Sequence, residues 1–440
     1  MSAPIPRDWG DPTSVVQPRQ PAFWLLVGLT TIGVLRIGSM VGEAFRLYPT
    51  GSLLAVTLLT LYAIPLIAFV YRLDLFEREP VTMVAAAFAW GGLAATSLAL
   101  SGNQAIFGLA SKLGSPDFAG RWGPALAAPP IEETLKILGV VLLVLIARDQ
   151  FDSPLDGMVY GALVGLGFQV VEDFIYCINA IALAGGDGEI GPVLGTFVVR
   201  ALVGLWSHAT YTAIAGYGVG YVASRRERRL ADRLLVAAGC LVVAYSAHFI
   251  WNSPLLTDAF GEGAGILLGL VLKGIPVLVL LVVMYRLARR QEATWFRDAV
   301  ADEVGSDVLL REELDELMTL SSRKDVIKMV RRVRGKRAAK LVGQLQHAQL
   351  ELGLACSRRS VTGEQDVEDA RRTIRLLRVQ LAQLGVVRAG TLPGSPGSAT
   401  ASPAASPGAG AAAGDPAAGD PSGQAVGATG VESSPPGASP

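Results

Sequence analysis

Apolar residues run through the first 290 positions in long blocks, interrupted by short breaks rich in Gly, Pro and charge. A helix needs roughly 20 residues to cross about 30 Å of hydrocarbon. On that measure the pattern predicts eight spans, at about 22–44, 51–71, 81–110, 125–147, 157–184, 192–222, 233–252 and 263–285. The first run is too long for the apolar core of a signal peptide and no small-residue cleavage site follows it, so it is expected to stay as a helix. The fold class expected is all-α: a polytopic membrane helix bundle of about eight transmembrane helices.

After Arg290 the pattern changes. Residues 291–386 are charged, with apolar positions at helical spacing. Leu341, Leu345 and Leu352 mark one stripe, and Val367, Ile374, Leu377, Leu381 and Leu384 mark another, which predicts a helical hairpin turning through SRRSVTGEQ. From 387 the chain is dominated by Gly, Ala, Pro and Ser without an aromatic residue; such a segment cannot bury a core. The expected organisation is a cytosolic N-terminal segment (1–21), a transmembrane domain (22–290), a cytosolic helical region (291–386) and a disordered tail (387–440).

Composition fits a membrane protein, with 51% of residues hydrophobic and 17% charged and a mean hydropathy of +0.42. The net charge is zero, so no global field favours nucleic acid as a partner. Lys and Arg in short loops favour the cytoplasmic side. With the N-terminus inside, eleven of them fall on inner loops against Arg46, Lys112 and Arg121 outside, and both termini are expected in the cytosol. Half of the eighteen positions from Arg323 to Lys340 are Lys or Arg, which suits a solvated face, contact with anionic membrane lipid, or a docked partner. Cys177, Cys240 and Cys356 have no paired spacing and support neither a disulfide framework nor a thiolate zinc site.

Candidate chemistry lies in ionisable residues inside the apolar runs, where each costs several kcal/mol unless paired, protonated or functional. Glu132 and Glu133 stand in one run, Glu172 and Asp173 in the next, His208 in a third, and His248 with Asn252 in a fourth. Glu132 and Lys136 are four apart and share a helix face, so an ion pair between them is expected, leaving Glu133 about 100° away for proton chemistry. Two carboxylates this close resist simultaneous ionisation, which suits one of them to act as a general base. The bland reading of the acidic pair is a carboxylate at Glu172 paired to a nearby cation such as Arg200, and the Asn252 amide is placed to orient the His248 imidazole or to share its target. Two imidazoles and one carboxylate are the donor set of an open zinc site. On that expectation His208, His248 and Glu172 hold zinc while Glu133 or Glu132 acts as base. Counting 1.5 Å per residue from the outer span ends puts Glu132 at a depth of about 10 Å, Glu172 at about 18 Å, His248 under about 10 Å and His208 at about 21 to 24 Å. Tilt, or a sixth span that starts later than the apolar run suggests, would bring His208 to the others; otherwise His208 belongs to something else. Gly165, Gly167, Gly216, Gly218 and Gly220 suit close helix packing.

These residues resemble the PrsW family of bacterial intramembrane proteases, distant relatives of the CAAX prenyl protease and bacteriocin-immunity superfamily. The resemblance rests on an ordered set over about residues 60–255: DLFEREP at 74–80, the EETLK element from Glu132 to Lys136, GFQVVED at 167–173, the stretch from Arg200 to His208 with Tyr211, and HFIWN at 248–252. It implies hydrolysis of a peptide bond in a single-span membrane protein, in family members an anti-sigma factor cut to begin a stress response, at the bacterial cytoplasmic membrane. Glu132, Glu133, Glu172, His208 and His248 would be the functional positions. Glu172 stands where the wider superfamily places a histidine. The resemblance leaves open whether water is activated by a metal or by glutamate and histidine alone. Two other classes fit the same buried charges: a proton-coupled transporter, although no inverted repeat is evident, and an inactive membrane scaffold.

Overall fold

In the computed structural model the described residues are 14–73, 79–186, 188–204, 207–261, 268–357 and 363–386. The tail from 387, most of the SRRSVTGEQ turn and the Asp74–Arg78 part of DLFEREP lie outside them.

Prolines and small polar caps start the membrane helices where the apolar runs begin. Helices α1 (Pro21–Leu47) and α2 (Pro49–Val70) open with proline in the first turn, where a missing N–H removes no helical bond. Helix α3 (Val81–Leu113) loosens into a π-turn at Trp90–Ala95. Helix α4 (Pro116–Ile146) is capped by Ser115, whose hydroxyl accepts from the Phe118 N–H at 3.1 Å. Helix α5 (Pro154–Leu183) begins with a capping box in which the Ser153 N–H donates to Asp156 at 2.7 Å.

Three further elements depart from the expected pattern. The single span expected at 192–222 is two helices, α6 (Ile190–Val203) and α7 (His208–Ser224). Helix α8 (Leu230–Asn252) is followed by a short helix, α9 (Leu255–Phe260). Helix α10 (Leu270–Ala299) passes without a break through residue 290. Among the described residues, six segments are long and apolar enough to cross a membrane: α1, α2, α3, α5, α8 with α9, and α10. The remaining two of the eight expected spans are α4, whose apolar character is diluted by Glu132, Glu133 and Lys136, and the divided α6–α7 pair. The chain is a multi-pass helical membrane protein.

Helix α5 is the hub of the bundle and is buried over most of its length. Gly157, Gly161 and Gly165 recur every four residues and so line one face, against Thr212, Gly216 and Gly220 of α7. A Cβ on Gly157 would run into the Gly216 carbonyl, one on Gly161 into the Thr212 carbonyl, and one on Gly165 into the His208 carbonyl. Small residues let the two backbones approach where lipid supplies no hydrophobic drive for helix association. Gly91 of α3 meets the Val164 carbonyl, and Gly167 of α5 meets the Phe88 carbonyl, in the same manner.

Beyond the membrane part, Phe296 near the end of α10 is fully buried with Val300, Leu309, Leu317 of helix α11 (Arg311–Leu317) and Leu350. Helix α12 (Leu320–Ser357) bends at Gly335, where φ is 87°. It pairs with α13 (Glu364–Gln383) through Val342, Leu345 and Leu352 against Val367, Ile374 and Leu381, the hairpin that the two apolar stripes imply.

Candidate active site

Helices α3 to α8 each deliver a polar side chain to one place. On α4, Glu132, Glu133 and Lys136 follow the Pro129–Pro130 pair, and the Trp90 indole N–H of α3 donates to the Leu135 carbonyl at 2.9 Å, fixing this turn against the bundle. On α7, His208 is the first helical residue. The Ser207 carbonyl accepts from the N–H groups of Thr210 and Tyr211 at 3.0 Å, and the Ser207 hydroxyl donates to Gln169 of α5 at 3.2 Å. The break before His208 removes the depth mismatch of an unbroken span: the helix does start later, and the imidazole reaches the two glutamates.

Lys136 is the centre of the arrangement, and is fully buried. Its Nζ donates to Glu133 Oε1 at 2.8 Å, to Glu132 Oε2 at 3.3 Å and to His208 Nδ1 at 2.7 Å. With the ammonium donating into Nδ1, the neutral His208 ring carries its proton on Nε2, which lies 2.9 Å from Glu172 Oε2. Glu133 also accepts from Thr212 Oγ1 at 3.0 Å and from His248 Nδ1 at 2.9 Å. The His248 ring stands 5.1 Å from that of His208 and stacks on Tyr211 at 5.3 Å.

The expected division of labour between the adjacent glutamates is reversed. Lys136 contacts both, more closely Glu133, and Glu133 is the anchored one, 0% exposed and held by three neighbouring side chains. Glu132 lines a cavity of about 360 Å³ together with Glu172, His208, Tyr211, His248, Asn252, Arg200 and Asn103. Asn103 of α3 donates to Glu132 Oε1 at 2.8 Å. It and Thr212 escape a reading based on charge, although SGNQ is a polar cluster within an apolar run. Arg200 binds Glu172, the pairing of the bland reading, and Asp173 as well, and lies 4.2 Å from the Tyr176 ring centre. Asn252 does not orient His248. Its amide donates to the Pro124 carbonyl at 3.3 Å, while His248 Nδ1 is held by Glu133 at 2.9 Å.

Chemically, Glu133 on Nδ1 fixes the tautomer of His248 and leaves Nε2 as a lone-pair acceptor, the arrangement a carboxylate imposes on a general-base histidine. Glu132 and His248 are then two acid–base groups lining one polar cavity.

A metal is tested by the same distances. Glu132, Glu133, His208 and His248 each offer one donor atom within 4.8 Å of the others; Glu172 falls outside this set because it meets the other nitrogen of His208. In kind and number these donors suit a divalent ion held at about 2.0–2.2 Å. Three of the four, however, are turned onto the Lys136 ammonium. A divalent ion drawing on them would stand within a few Å of a like charge, a repulsion of several kcal/mol. As arranged, the residues do not fit a metal.

Comparison with known proteins places this site in a family context. Residues 79–287 match the family model described as PrsW family intramembrane metalloprotease. Protease PrsW of Geobacillus kaustophilus (strain HTA426) is 31% identical over 157 residues, covering 36% of this chain and 61% of that protein. Protease PrsW of Bacillus subtilis (strain 168) is 30% identical over 157 residues, covering 36% of this chain and 63% of that protein. Protease PrsW of Oceanobacillus iheyensis is 26% identical over 156 residues, 35% of this chain and 61% of that protein. The chain thus spans about three fifths of the length of these curated relatives. No solved structure matches it. Over residues 79–287 the chain resembles the PrsW family, as its sequence motifs imply.

Proposed function

We propose that this chain is an intramembrane protease that hydrolyses a peptide bond of a membrane-spanning protein, with water activated by Glu132 beside His248. The observation that carries this reading is the pairing of Glu132 and His248 on one polar cavity among apolar helices, with Glu133 anchoring the imidazole from behind. Glu132 takes a proton from water as the water oxygen bonds to the scissile carbonyl carbon. The same proton passes to the amide nitrogen as the C–N bond breaks, leaving a carboxylic acid and an amine. His248 Nε2 accepts from the second O–H of the water and orients it. Arg200 and Asn252 are donors on the cavity wall for the carbonyl oxygen. No step is routed through zinc.

The relatives named Protease PrsW support the protease activity; the substrate we assign, a single-span membrane protein of the anti-sigma-factor kind, follows from the motif resemblance alone. The bacterial cytoplasmic membrane, with both termini in the cytosol and membrane lipid around residues 22–290, is the setting. Residues 291–386 are assigned to a cytosolic region. The test is cleavage of a tagged single-span anti-sigma-like protein by the purified chain in detergent. Wild type is expected to yield product, and Glu132→Gln and His248→Ala to yield none. Undiminished cleavage by both variants would remove this site from the mechanism.

A further inference from the structure

We propose that Lys136 is the site's own cation: its ammonium occupies the place of a catalytic metal, and the chain binds none there. Three of the four residues that could hold a metal each give an atom to Nζ, at 2.7, 2.8 and 3.3 Å. A fourth side of the ammonium is covered by the Phe168 ring, whose centre lies 4.0 Å away. Lysine and metal therefore compete for the same atoms, His208 Nδ1 and one oxygen of each glutamate, and only one of them can hold the site.

Placement on the helix makes the lysine a permanent occupant. Lys136 follows Glu132 by four residues and Glu133 by three, so one helix face supplies both anions and their counterion. An ammonium on a covalent stem is present at full occupancy without a binding equilibrium. Its withdrawal would leave two adjacent carboxylates buried without compensation, a state costing several kcal/mol. The lysine also sets the proton positions around it: donation into His208 Nδ1 puts the ring proton on Nε2, facing Glu172 at 2.9 Å. Lys136 is thus a positioning residue that fixes Glu132, Glu133 and His208, and does not itself line the cavity.

The inference rests on the hydrolytic reading only for its consequence, that water is activated by carboxylate and imidazole alone. It is tested without substrate, so its failure and the failure of that reading are separable. The full chain, purified in detergent, is incubated with zinc, passed over a desalting column and assayed for bound zinc by mass spectrometry, with zinc-dependent thermal shifts read in parallel. Wild type is expected to retain no stoichiometric zinc and to show no shift. Lys136→Ala and Lys136→Gln, which vacate the place, are expected to bind zinc at least about tenfold more tightly than wild type; a merely structural lysine would give no such gain. Stoichiometric zinc on the wild-type chain would overturn the proposal, and that measurement needs no variant to fold. Folded variants that bind zinc no better than wild type would overturn it too.

Discussion

Asn103 donates its side-chain amide to Glu132 Oε1 at 2.8 Å across the α3–α4 contact, while Lys136 holds the other oxygen of the same carboxylate at 3.3 Å. The carboxylate that faces the cavity is therefore gripped from two helices, and Asn103 Oδ1 is buried without a partner among the described residues. Asn103→Leu frees one oxygen of Glu132. Loss of a hydrogen bond to a charged group costs about 1–3 kcal/mol, so cleavage should fall about 10- to 100-fold in kcat/KM. Melting temperature, measured alongside, should change little, because Asn103 is only partly buried.

The two glutamates should separate by the kind of damage they cause. Glu132→Gln is expected to leave the protein folded and without activity. Glu133→Ala strips Lys136, His248 and Thr212 of their common acceptor and should destabilise the bundle by about 3–5 kcal/mol, as breaking a buried ion pair does. Thermal unfolding in detergent distinguishes them; equal loss of stability in both would contradict the division of roles.

Gly165 sets the position of His208 through backbone contact. In Gly165→Ala the new methyl meets the His208 carbonyl and the Ala209 α-carbon, and overpacking of this kind costs about 1–3 kcal/mol. Activity and melting temperature should both drop. Gly191→Ala on α6, where nothing lies within 4 Å of the added carbon, is the control and should change neither.

Arg200 bridges two carboxylates with separate guanidinium nitrogens. A lysine at this position has one compact charged nitrogen where the planar guanidinium has several spaced ones, and cannot reproduce the two separate contacts to Glu172 and Asp173. Arg200→Lys should therefore fail to restore the stability lost in Arg200→Ala, which a side-by-side melting comparison would read; full rescue would mean that charge alone is needed.

Phe296 ties the end of α10 to the region that follows. Phe296→Ala removes a fully buried ring packed with Leu309, Leu317 and Leu350 and should cost about 3–5 kcal/mol. Faster proteolysis within residues 301–386 is the expected readout, since the membrane core cluster shares none of these side chains.

The sequence by itself determined the helices, because a run of apolar residues in a bilayer has no stable alternative to internal backbone hydrogen bonding. It also identified Glu132, Glu133, Lys136, Glu172, His208 and His248, since an ionisable side chain in an apolar run is costly wherever the chain folds. Spacing along one helix correctly put Lys136 beside Glu132. Only the tertiary structure decided which glutamate faces the cavity: neighbours differ by about 100° around a helix, and the packing of α7 and α8 fixes the rotation of α4. Only the tertiary structure supplied Asn103, twenty-nine residues from its partner, and turned the lysine onto three acceptors at once. The break before His208 was hidden for a related reason. Hydropathy averages along the chain, and does not register that the backbone at Ser207, with φ −104° and ψ −128°, is not helical.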